Sequence, residues 1–283
     1  MTFVQAMLLA VLQGVSELFP ISSLGHTVLI PPLLHWHVDE RDESFLSFVV
    51  VLHLGTALAL IVFYRREWVR IVRAFVASIM RGKLSEDRDE RIAWLLVAGT
   101  IPVGICGVLF QSTVRTLFAS PIPVAIFLMI NAFVMFAGEG LRKRQLRGHR
   151  TTKPIERVTW KEAVGVGFAQ SLALLPGISR SGSSIVAGLL VDLDHEDAAT
   201  YSFLLATPVI LLASVLEVPK LFEPGVAIGP VEAVCGCVLA GVTAYASVAF
   251  LTRYFKHNDL RPFGWYCLIA GAVALVLFTM KVV

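Results

Sequence analysis

The stretch ELFPISSLGH, residues 17–26, breaks an apolar region that covers roughly residues 3–35. A second apolar region, roughly residues 160–191, breaks in the same way at LLPGISRSGSS, residues 174–184. Each half of these regions is shorter than the roughly 20 residues that a transmembrane helix needs. Irregular backbone is not tolerated against lipid, so each break must be buried in protein or line a cavity. We therefore interpret both regions as re-entrant helical hairpins.

The composition of the whole chain is typical of an integral membrane protein. Of its 283 residues, 56% are hydrophobic and only 16% are charged, whereas roughly 25% of the residues in soluble domains are charged. The long, continuous apolar runs favour helices, since barrel strands would show short alternating segments. The predicted fold is an all-α integral membrane protein with six full transmembrane helices and two re-entrant helical hairpins. The six runs that are long enough to span cover roughly residues 46–64, 92–111, 123–140, 201–219, 231–252 and 264–283.

Basic residues alternate between the two sides of the predicted spans. Segments 65–91, 141–161 and 253–262 together carry nineteen Lys and Arg residues. The segments on the other side carry four, which are Arg41, Arg115, Lys220 and Lys281. By the positive-inside rule, the basic segments are cytoplasmic and both termini face the outside.

The first basic segment has a pattern of its own. Residues 65–82, RREWVRIVRAFVASIMRG, repeat Arg and apolar residues at helical spacing. This pattern predicts a helix that lies along the inner membrane surface. The alternative is a plain solvated linker.

The two broken regions resemble each other and suggest an internal repeat. Each has a glutamine, Gln13 or Gln170, then a proline, then Ile-Ser, a polar pair and a glycine. Each is followed by three spans, and because three is odd the second unit must be inserted upside down, as an inverted-topology repeat. The predicted organisation is a first repeat at 1–140 with its hairpin at 3–35, a basic cytoplasmic connector at 141–160, and an inverted repeat at 161–283 with its hairpin at 161–191.

This topology brings the two hairpin tips together near the membrane midplane. The second half-helices would begin near residues 24 and 183, and their N-termini would point free N–H groups and positive dipole ends at one cavity, forming an anion site. Glycines at the breaks would let the backbone approach a ligand; they are Gly25, Gly177 and Gly182. Serines would supply hydroxyls for binding; they are Ser22, Ser23, Ser179, Ser181, Ser183 and Ser184.

Arg180 is the most informative charged residue, because a charge at bilayer depth rarely occurs without a partner or ligand. It can form a salt bridge with Glu17 or a bidentate clamp on a phosphate. The surrounding serines and glycines favour the clamp, and Arg180 can also do both in turn. Gln13 and Glu17 are four residues apart and share one helix face, although helix–helix hydrogen bonding explains Gln13 equally well.

His26 follows Ser23 by three residues, so both are predicted to face the cavity. One of them is a candidate nucleophile with the other as its proton partner. His53 lies inside a full span, and whether it lines the same cavity is left open. No Walker loop is present, and the basic segments follow topology and contain few aromatic residues, so neither ATP nor nucleic acid is an expected ligand.

Three stretches resemble a known family. The first signature of bacterial undecaprenyl-diphosphate phosphatases, the bacitracin-resistance family, resembles QGVSELFPISSLGH (13–26), and the second resembles LLPGISRSGSSI (174–185). The family is also similar over VVLHLGTALALIVFYRREW (50–68). The resemblance covers essentially the whole chain. It implies an enzyme of the bacterial cytoplasmic (inner) membrane whose active site opens to the periplasmic face. Such an enzyme removes one phosphate from C55-isoprenyl diphosphate, which regenerates the lipid carrier for peptidoglycan synthesis and confers bacitracin resistance.

The resemblance also implies roles for individual residues. Ser23, His26 and Arg180 match the family's proposed catalytic residues, and Glu17 matches its essential acidic residue. Gln13 stands where many members have Glu, which weakens any scheme in which two carboxylates share a metal. A divalent cation, Mg²⁺ or Ca²⁺, is implied, and the diphosphate can bring it; no metal ligand and no organic cofactor are assigned.

Two questions stay open from sequence alone. Architecture by itself favours a secondary transporter or flippase of an anionic lipid or solute that uses the same midplane site, although a carrier needs no Ser23 and His26 chemistry. The oligomeric state is not fixed, and a homodimer is one arrangement that the sequence allows.

Overall fold

A computed structural model describes residues 1–36, 38, 43–110, 120–149, 151–219 and 228–280. Within these ranges the regular structure is entirely helical. There are two short 3₁₀ turns, Ile155–Arg157 and Leu172–Leu174, and eleven α-helices. The helices are α1 (Phe3–Ser16), α2 (Ser23–Leu33), α3 (Glu43–Phe63), α4 (Arg65–Arg81), α5 (Arg88–Leu109), α6 (Pro121–Arg147), α7 (Trp160–Ser171), α8 (Arg180–Leu190), α9 (His195–Glu217), α10 (Pro230–Tyr254) and α11 (Arg261–Thr279).

Six of these helices are long and apolar enough to cross a bilayer. They are α3, α5, α6, α9, α10 and α11, with apolar stretches of 19 to 27 residues. Their number and order confirm the six predicted spans, and the protein is therefore a multi-pass membrane protein. The α6 helix continues to Arg147, so it includes the beginning of the connector predicted at 141–160. Arg41, Arg115, Lys220 and Lys281, the basic residues of the predicted outer side, lie outside the described residues.

The four helices of the two broken regions are short. α1 has 14 residues, α2 has 11, α7 has 12 and α8 has 11. α1 contacts α2, and α7 contacts α8. Both first halves begin with a capping box, from Thr2 and Gln5 in α1 and from Thr159 and Glu162 in α7. Such boxes satisfy backbone donors at a helix start, so each half-helix is defined by local sequence.

The breaks themselves follow from proline and serine chemistry. A proline, Pro20 or Pro176, follows the first half of each region, and the residue before a proline is disfavoured in helical conformation. The second halves then start with serine caps: Ser22 accepts the N–H of Gly25, and Ser179 accepts the N–H of Gly182. The two breaks are therefore built in the same way, as their sequence similarity predicts.

The first helices of the two broken regions pack closely on different long helices. α1 lies against α10, and a Cβ added to Gly14 would come 2.3 Å from the Ala240 carbonyl oxygen. α7 lies against α5, and a Cβ added to Gly167 would come 2.4 Å from the Gly99 carbonyl oxygen. Small residues at these crossings let the backbones approach, which is how helices associate inside membranes.

Gly167→Ala will therefore destabilise the protein. The added methyl group would push α7 away from α5, and overpacking of this kind costs about 1–3 kcal/mol. Thermal unfolding in detergent will show a lower midpoint temperature. Gly165→Ala, two residues earlier on the same helix, is the matched control, because a Cβ there meets nothing within 4 Å and alanine has the higher helix propensity. Equal midpoints for the two variants would contradict the close packing.

The segment predicted as an amphipathic helix is helical, which excludes a plain linker. α4 covers Arg65–Arg81 and buries Ile71 and Ser78. The Ser78 hydroxyl accepts a 2.9 Å hydrogen bond from the indole of Trp94 on α5. An adjacent stripe of apolar residues remains exposed on α4; it consists of Val69, Val72, Val76, Ile79 and Met80.

Candidate active site

The two breaks meet inside the protein. The Ser22 hydroxyl oxygen accepts the N–H of Gly177 from the second break at 3.2 Å. Asn131, on α6, joins both: its amide nitrogen donates to the Pro20 carbonyl at 3.1 Å, and its amide oxygen accepts the Ser179 N–H at 3.0 Å. These bonds hold the starts of α2 and α8 side by side.

Glu17 is the centre of the polar cluster at this junction. Its Oε2 accepts hydrogen bonds from Ser23 Oγ at 2.5 Å and from Gln13 Nε2 at 3.1 Å. His53 Nε2 lies 3.2 Å from the same oxygen. The carboxylate is 7% exposed, and a buried carboxylate surrounded by donors keeps its charge compensated. The cluster combines the end of α1 with the start of α2 and the middle of α3.

Arg180, the first residue of α8, completes the cluster from the second broken region. Its Nε and Nη2 donate to Glu17 Oε1 at 3.3 and 3.2 Å, and its Nη1 donates to the Ser202 carbonyl at 3.3 Å. The predicted salt bridge between Arg180 and Glu17 is therefore present. The guanidinium also lines the cavity described below, so its role as a clamp on a ligand stays a prediction.

Ser23 is placed as an activated hydroxyl. A serine that donates a short hydrogen bond to a carboxylate has its proton acceptor in position, which is the arrangement of a nucleophile with its base. Ser23 lies at the first position of α2, directly after the cap residue Ser22, whose φ of 69° is unusual for a residue other than glycine. The chain thus turns sharply to present the Ser23 hydroxyl to Glu17.

His26 does not form the expected couple with Ser23. Its Nδ1 lies 2.7 Å from the Ser22 carbonyl oxygen and its Nε2 lies 2.7 Å from the Tyr266 hydroxyl on α11. A carbonyl oxygen only accepts, so Nδ1 carries the proton and Nε2 accepts from Tyr266. The imidazole also stacks on the Tyr266 ring and faces α11, while Ser23 faces Glu17. The direct catalytic role of His26 stays a prediction, but the geometry replaces the Ser23–His26 couple with Ser23 and Glu17.

A cavity of about 340 Å³ opens above the cluster. Its polar floor contains Glu17, Ser22, Ser23, His53, Gln170, Ser179 and Arg180. Whether His53 lines the cavity was left open from the sequence, and the structure places it in the lining. The walls are mainly apolar and include Leu24, Leu46, Val49, Val50, Val103, Ala173, Leu174, Ile178, Val209, Ile210 and Ala213. A small polar floor beneath apolar walls suits an amphiphilic ligand.

The predicted substrate-binding residues separate into two groups. Ser22 and Ser179 line the cavity, whereas Ser181, Ser183 and Ser184 are buried and are not part of its lining. Ser181 bonds the Phe19 carbonyl at 3.3 Å, and Ser184 bonds the Ser202 hydroxyl at 2.6 Å. The Ser181 and Ser184 hydroxyls therefore join neighbouring segments, and the Ser183 hydroxyl is buried without a hydrogen bond in the described structure. This differs from the predicted contact with a ligand.

The glycines and helix N-termini also differ from expectation. A Cβ on Gly25 would lie 3.0 Å from Gly177 Cα, and one on Gly182 would lie 3.3 Å from Pro20 Cβ, so these glycines let the two breaks approach each other. Gly177 additionally has a φ of 108°. The N–H groups of Gly25, Gly177, Ser179 and Gly182 are bonded to serine or asparagine side chains. The dipole ends of α2 and α8 remain, but part of the expected anion site is already satisfied.

Several residues of the cluster were not singled out in the sequence. Asn131, Tyr266 and Ser202 lie inside full spans, and their partners are distant in the chain. Of these three residues, Asn131 could have been identified from the sequence, because an amide within an apolar span needs a hydrogen-bond partner. In the structure Asn131 is fully buried. Gln13 was predicted, and its amide donates to Glu17 while its Oε1 is buried without a hydrogen bond in the described structure.

Comparisons with known proteins agree with the resemblance seen in the motifs. The family model described as Bacitracin resistance protein BacA matches residues 6–273. The chain is 44% identical to "Undecaprenyl-diphosphatase 2" of Chromobacterium violaceum over 98% of this chain and 99% of the relative. It is 43% identical to "Undecaprenyl-diphosphatase" of Mycobacterium avium, with 99% of each chain covered. It is 45% identical to "Undecaprenyl-diphosphatase" of Acidiphilium cryptum, with 98% of each covered.

Proposed function

We infer, because the chain belongs to the bacitracin resistance protein BacA family, that it is an undecaprenyl-diphosphatase. It hydrolyses undecaprenyl diphosphate to undecaprenyl phosphate and inorganic phosphate, which recycles the lipid carrier for peptidoglycan synthesis. The family's name connects this reaction with resistance to bacitracin. The observation that carries the chemistry is the 2.5 Å hydrogen bond from Ser23 to Glu17, beside Arg180 on the floor of a largely apolar cavity.

We propose that α1–α2 and α7–α8 are re-entrant hairpins of an inverted repeat, with its halves at 1–140 and 161–283. The short lengths of these helices and the bonds between their two breaks support this arrangement. So does the pairing of helices, because α1 packs on α10 as α7 packs on α5. In an inverted repeat of this order, α10 and α5 are equivalent spans.

The cavity should open to the periplasmic face of the inner membrane. Its lining includes Leu46 near the start of α3, Gly107 near the end of α5 and Glu217 at the end of α9. All three lie at the ends of their helices that are remote from the basic segments 65–91 and 141–161. The positive-inside rule places those segments in the cytoplasm, so the mouth faces the opposite side. Basic, amphipathic α4 would then rest on the inner membrane surface.

The cavity matches the chemistry of a polyprenyl diphosphate. The apolar walls would contact the prenyl chain, and the polar floor would contact the diphosphate. The Arg180 guanidinium binds phosphate oxygens in a forked geometry. Arg180 donates two hydrogen bonds to Glu17 in the free protein. A bound phosphate would accept part of these hydrogen bonds, and Glu17 would then be free to accept a proton from Ser23.

The first chemical step transfers the terminal phosphoryl group to the enzyme. Ser23 Oγ forms a bond to the terminal phosphorus while the bond from that phosphorus to the bridging oxygen breaks. The bridging oxygen leaves with the electron pair as part of undecaprenyl phosphate. Glu17 takes the Ser23 proton and passes it to the departing undecaprenyl phosphate, and Arg180 stabilises the charge on the transferred group.

The second step returns the enzyme to its starting form. A water molecule attacks the phosphorus of the phosphorylated Ser23 and gives a proton to Glu17. The bond between Ser23 Oγ and phosphorus breaks, and Glu17 returns the proton to Ser23 Oγ. Inorganic phosphate then leaves through the cavity. One water is consumed in the cycle, and Glu17 acts as base and acid in turn.

A protein-held divalent metal does not fit the residues of this cluster. Within the described part of the chain, no three His, Cys, Asp or Glu side chains are grouped to hold one. Among the described residues that form the polar floor, Glu17 is the one carboxylate, and its oxygens already accept from Ser23, Gln13 and Arg180. Where the reaction uses Mg²⁺ or Ca²⁺, we propose that the ion arrives with the diphosphate, whose oxygens suit such hard cations.

A flippase for the product lipid is the second candidate function, and the mirrored packing of the two hairpins favours it. One assay separates the two functions. The purified protein in detergent is incubated with a polyprenyl diphosphate, and released phosphate is measured. Phosphate release supports the enzyme, whereas tight binding of the lipid without phosphate release would support a carrier.

Tyr266→Phe will lower kcat about 3- to 10-fold with little change in KM. The change removes one hydrogen bond to His26, worth about 0.5–1.5 kcal/mol, and His26 in turn bonds the Ser22 carbonyl that precedes Ser23. The kinetic constants for phosphate release measure this effect. Tyr245→Phe is the control, because Tyr245 is also a partly exposed tyrosine on a long helix, outside the cavity lining. A raised KM with unchanged kcat for Tyr266→Phe would contradict a role in positioning Ser23.

A further inference from the structure

We propose that His53 is a positively charged positioning residue of the site, which orients Glu17 and supplies a second cation beside the reacting phosphoryl group. This inference deepens the proposed phosphatase mechanism and rests on it. The sequence left the role of this histidine open, and the mechanism above does not use it. Its position on α3 brings a third element, independent of both hairpins, to the carboxylate.

The hydrogen bonds of the imidazole fix its protonation. His53 Nδ1 lies 2.7 Å from the Val49 carbonyl oxygen, and because a carbonyl oxygen only accepts, Nδ1 must carry a proton. Nε2 lies 3.2 Å from Glu17 Oε2. That oxygen already accepts hydrogens from Ser23 and Gln13. Two acceptors face the two ring nitrogens, so both nitrogens donate and the ring is an imidazolium.

The charged groups around His53 indicate what its positive charge does. The charged groups that face His53 are Glu17, from the end of α1, and Arg180, from the start of α8. Glu217 lines the same cavity farther from His53. α10 also packs on α3, where the backbone of Cys237 lies against Gly55. Two cations thus share one carboxylate on the cavity floor. This excess positive charge suits a diphosphate.

The positive charge of His53 has its largest effect during the reaction. When Glu17 takes the proton of Ser23, it loses its negative charge, and the imidazolium and the guanidinium then lack their anion. Both cations are directed at the cavity floor, where negative charge accumulates on the transferred phosphoryl group. A preorganised charge that is released in this way stabilises the transition state more than the bound substrate. His53 should therefore affect kcat more than KM.

The test replaces His53 with Gln and with Ala and measures phosphate release from a polyprenyl diphosphate in detergent. Gln can still donate an N–H to Glu17 but has no charge. We expect His53→Gln to lower kcat about 10²-fold, with KM changed less than about threefold. His257→Gln is the matched control, because His257 is an exposed histidine of the α10–α11 loop. It should keep the wild-type kcat.

Chemical rescue provides a readout that a merely structural residue would not give. His53 lines the cavity, so in His53→Ala added imidazole can reach the vacated space. Imidazole should raise the kcat of His53→Ala about tenfold, and more at about pH 6 than at about pH 8.5, because the protonated ring is the active form. The same imidazole should leave Ser23→Ala unchanged.

The outcomes separate this inference from the phosphatase itself. If the wild-type protein and His257→Gln release no phosphate, the proposed function fails. If both are active and His53→Gln keeps kcat within about threefold of wild type, the role of His53 fails while the function stands. A lowered kcat accompanied by a lowered thermal midpoint and no response to imidazole would also overturn it, because that pattern belongs to a structural contact.

Discussion

Ser23→Ala will release phosphate from a polyprenyl diphosphate at least about 10³-fold more slowly than the wild-type protein. The Ser23 hydroxyl donates to Glu17 Oε2 at 2.5 Å and lines the cavity floor, so its removal leaves the transferred phosphoryl group without a nucleophile. The fold will be kept, since the α2 cap belongs to Ser22 and alanine is a better helix former than serine. Steady-state phosphate release in detergent measures the effect.

Two further measurements make this prediction specific. Ser247→Ala removes a buried hydroxyl of α10 that bonds the Thr243 carbonyl, outside the cavity lining, and it should retain full activity. Acid quenching of the wild-type protein during turnover, followed by mass spectrometry, should find phosphate on Ser23, and no phosphate on the same peptide of Ser23→Ala. A Ser23→Ala variant with more than a tenth of wild-type kcat would mean that another group, or water directly, attacks the phosphorus.

The spans of this fold could be read from the sequence because the bilayer imposes a strong and simple requirement. A helix that crosses lipid must be apolar over its whole length, and the six predicted runs correspond to α3, α5, α6, α9, α10 and α11. The breaks could be read for the converse reason, since Pro20 and Pro176 interrupt apolar sequence where lipid would not tolerate it. The end of α6 at Arg147 was missed, because beyond the membrane no hydropathy limit marks where a helix stops.

The site was predictable where polar residues occur in an apolar break. Glu17, Ser23 and Arg180 are costly at this depth unless they have partners, and the structure brings all three together. The serines at the second break and in α8 do not share one face, because adjacent residues on a helix point to different sides. Ser179 faces the cavity, whereas Ser184 faces Ser202.

The partners that come from distant helices could not be predicted. His26 is three residues from Ser23, and sequence spacing alone puts them on one helix face. The His26 imidazole instead forms a hydrogen bond with Tyr266, which is 240 residues away in the sequence. Asn131 and His53 are each flanked by apolar residues in full spans, and such polar residues commonly serve helix packing. The three-dimensional arrangement of α3, α6 and α11 brings these side chains to the two breaks.

Arg180→Lys will lower kcat/KM for the polyprenyl diphosphate by about 10²- to 10³-fold, although the positive charge is kept. The guanidinium uses three nitrogens at once: Nε and Nη2 donate to Glu17 Oε1, and Nη1 donates to the Ser202 carbonyl. A lysine ammonium is a point charge on a flexible stem and cannot hold a carboxylate, a carbonyl and a phosphate in this fixed plane.

Phosphate release in detergent measures the loss for Arg180→Lys. Arg70→Lys is the control, because Arg70 is a largely exposed arginine of α4, and it should behave as wild type. Guanidine added to Arg180→Ala should restore part of the activity, since it returns the missing fork to the cavity floor. An Arg180→Lys variant with near-normal turnover would show that charge alone is sufficient and that the forked geometry is not required.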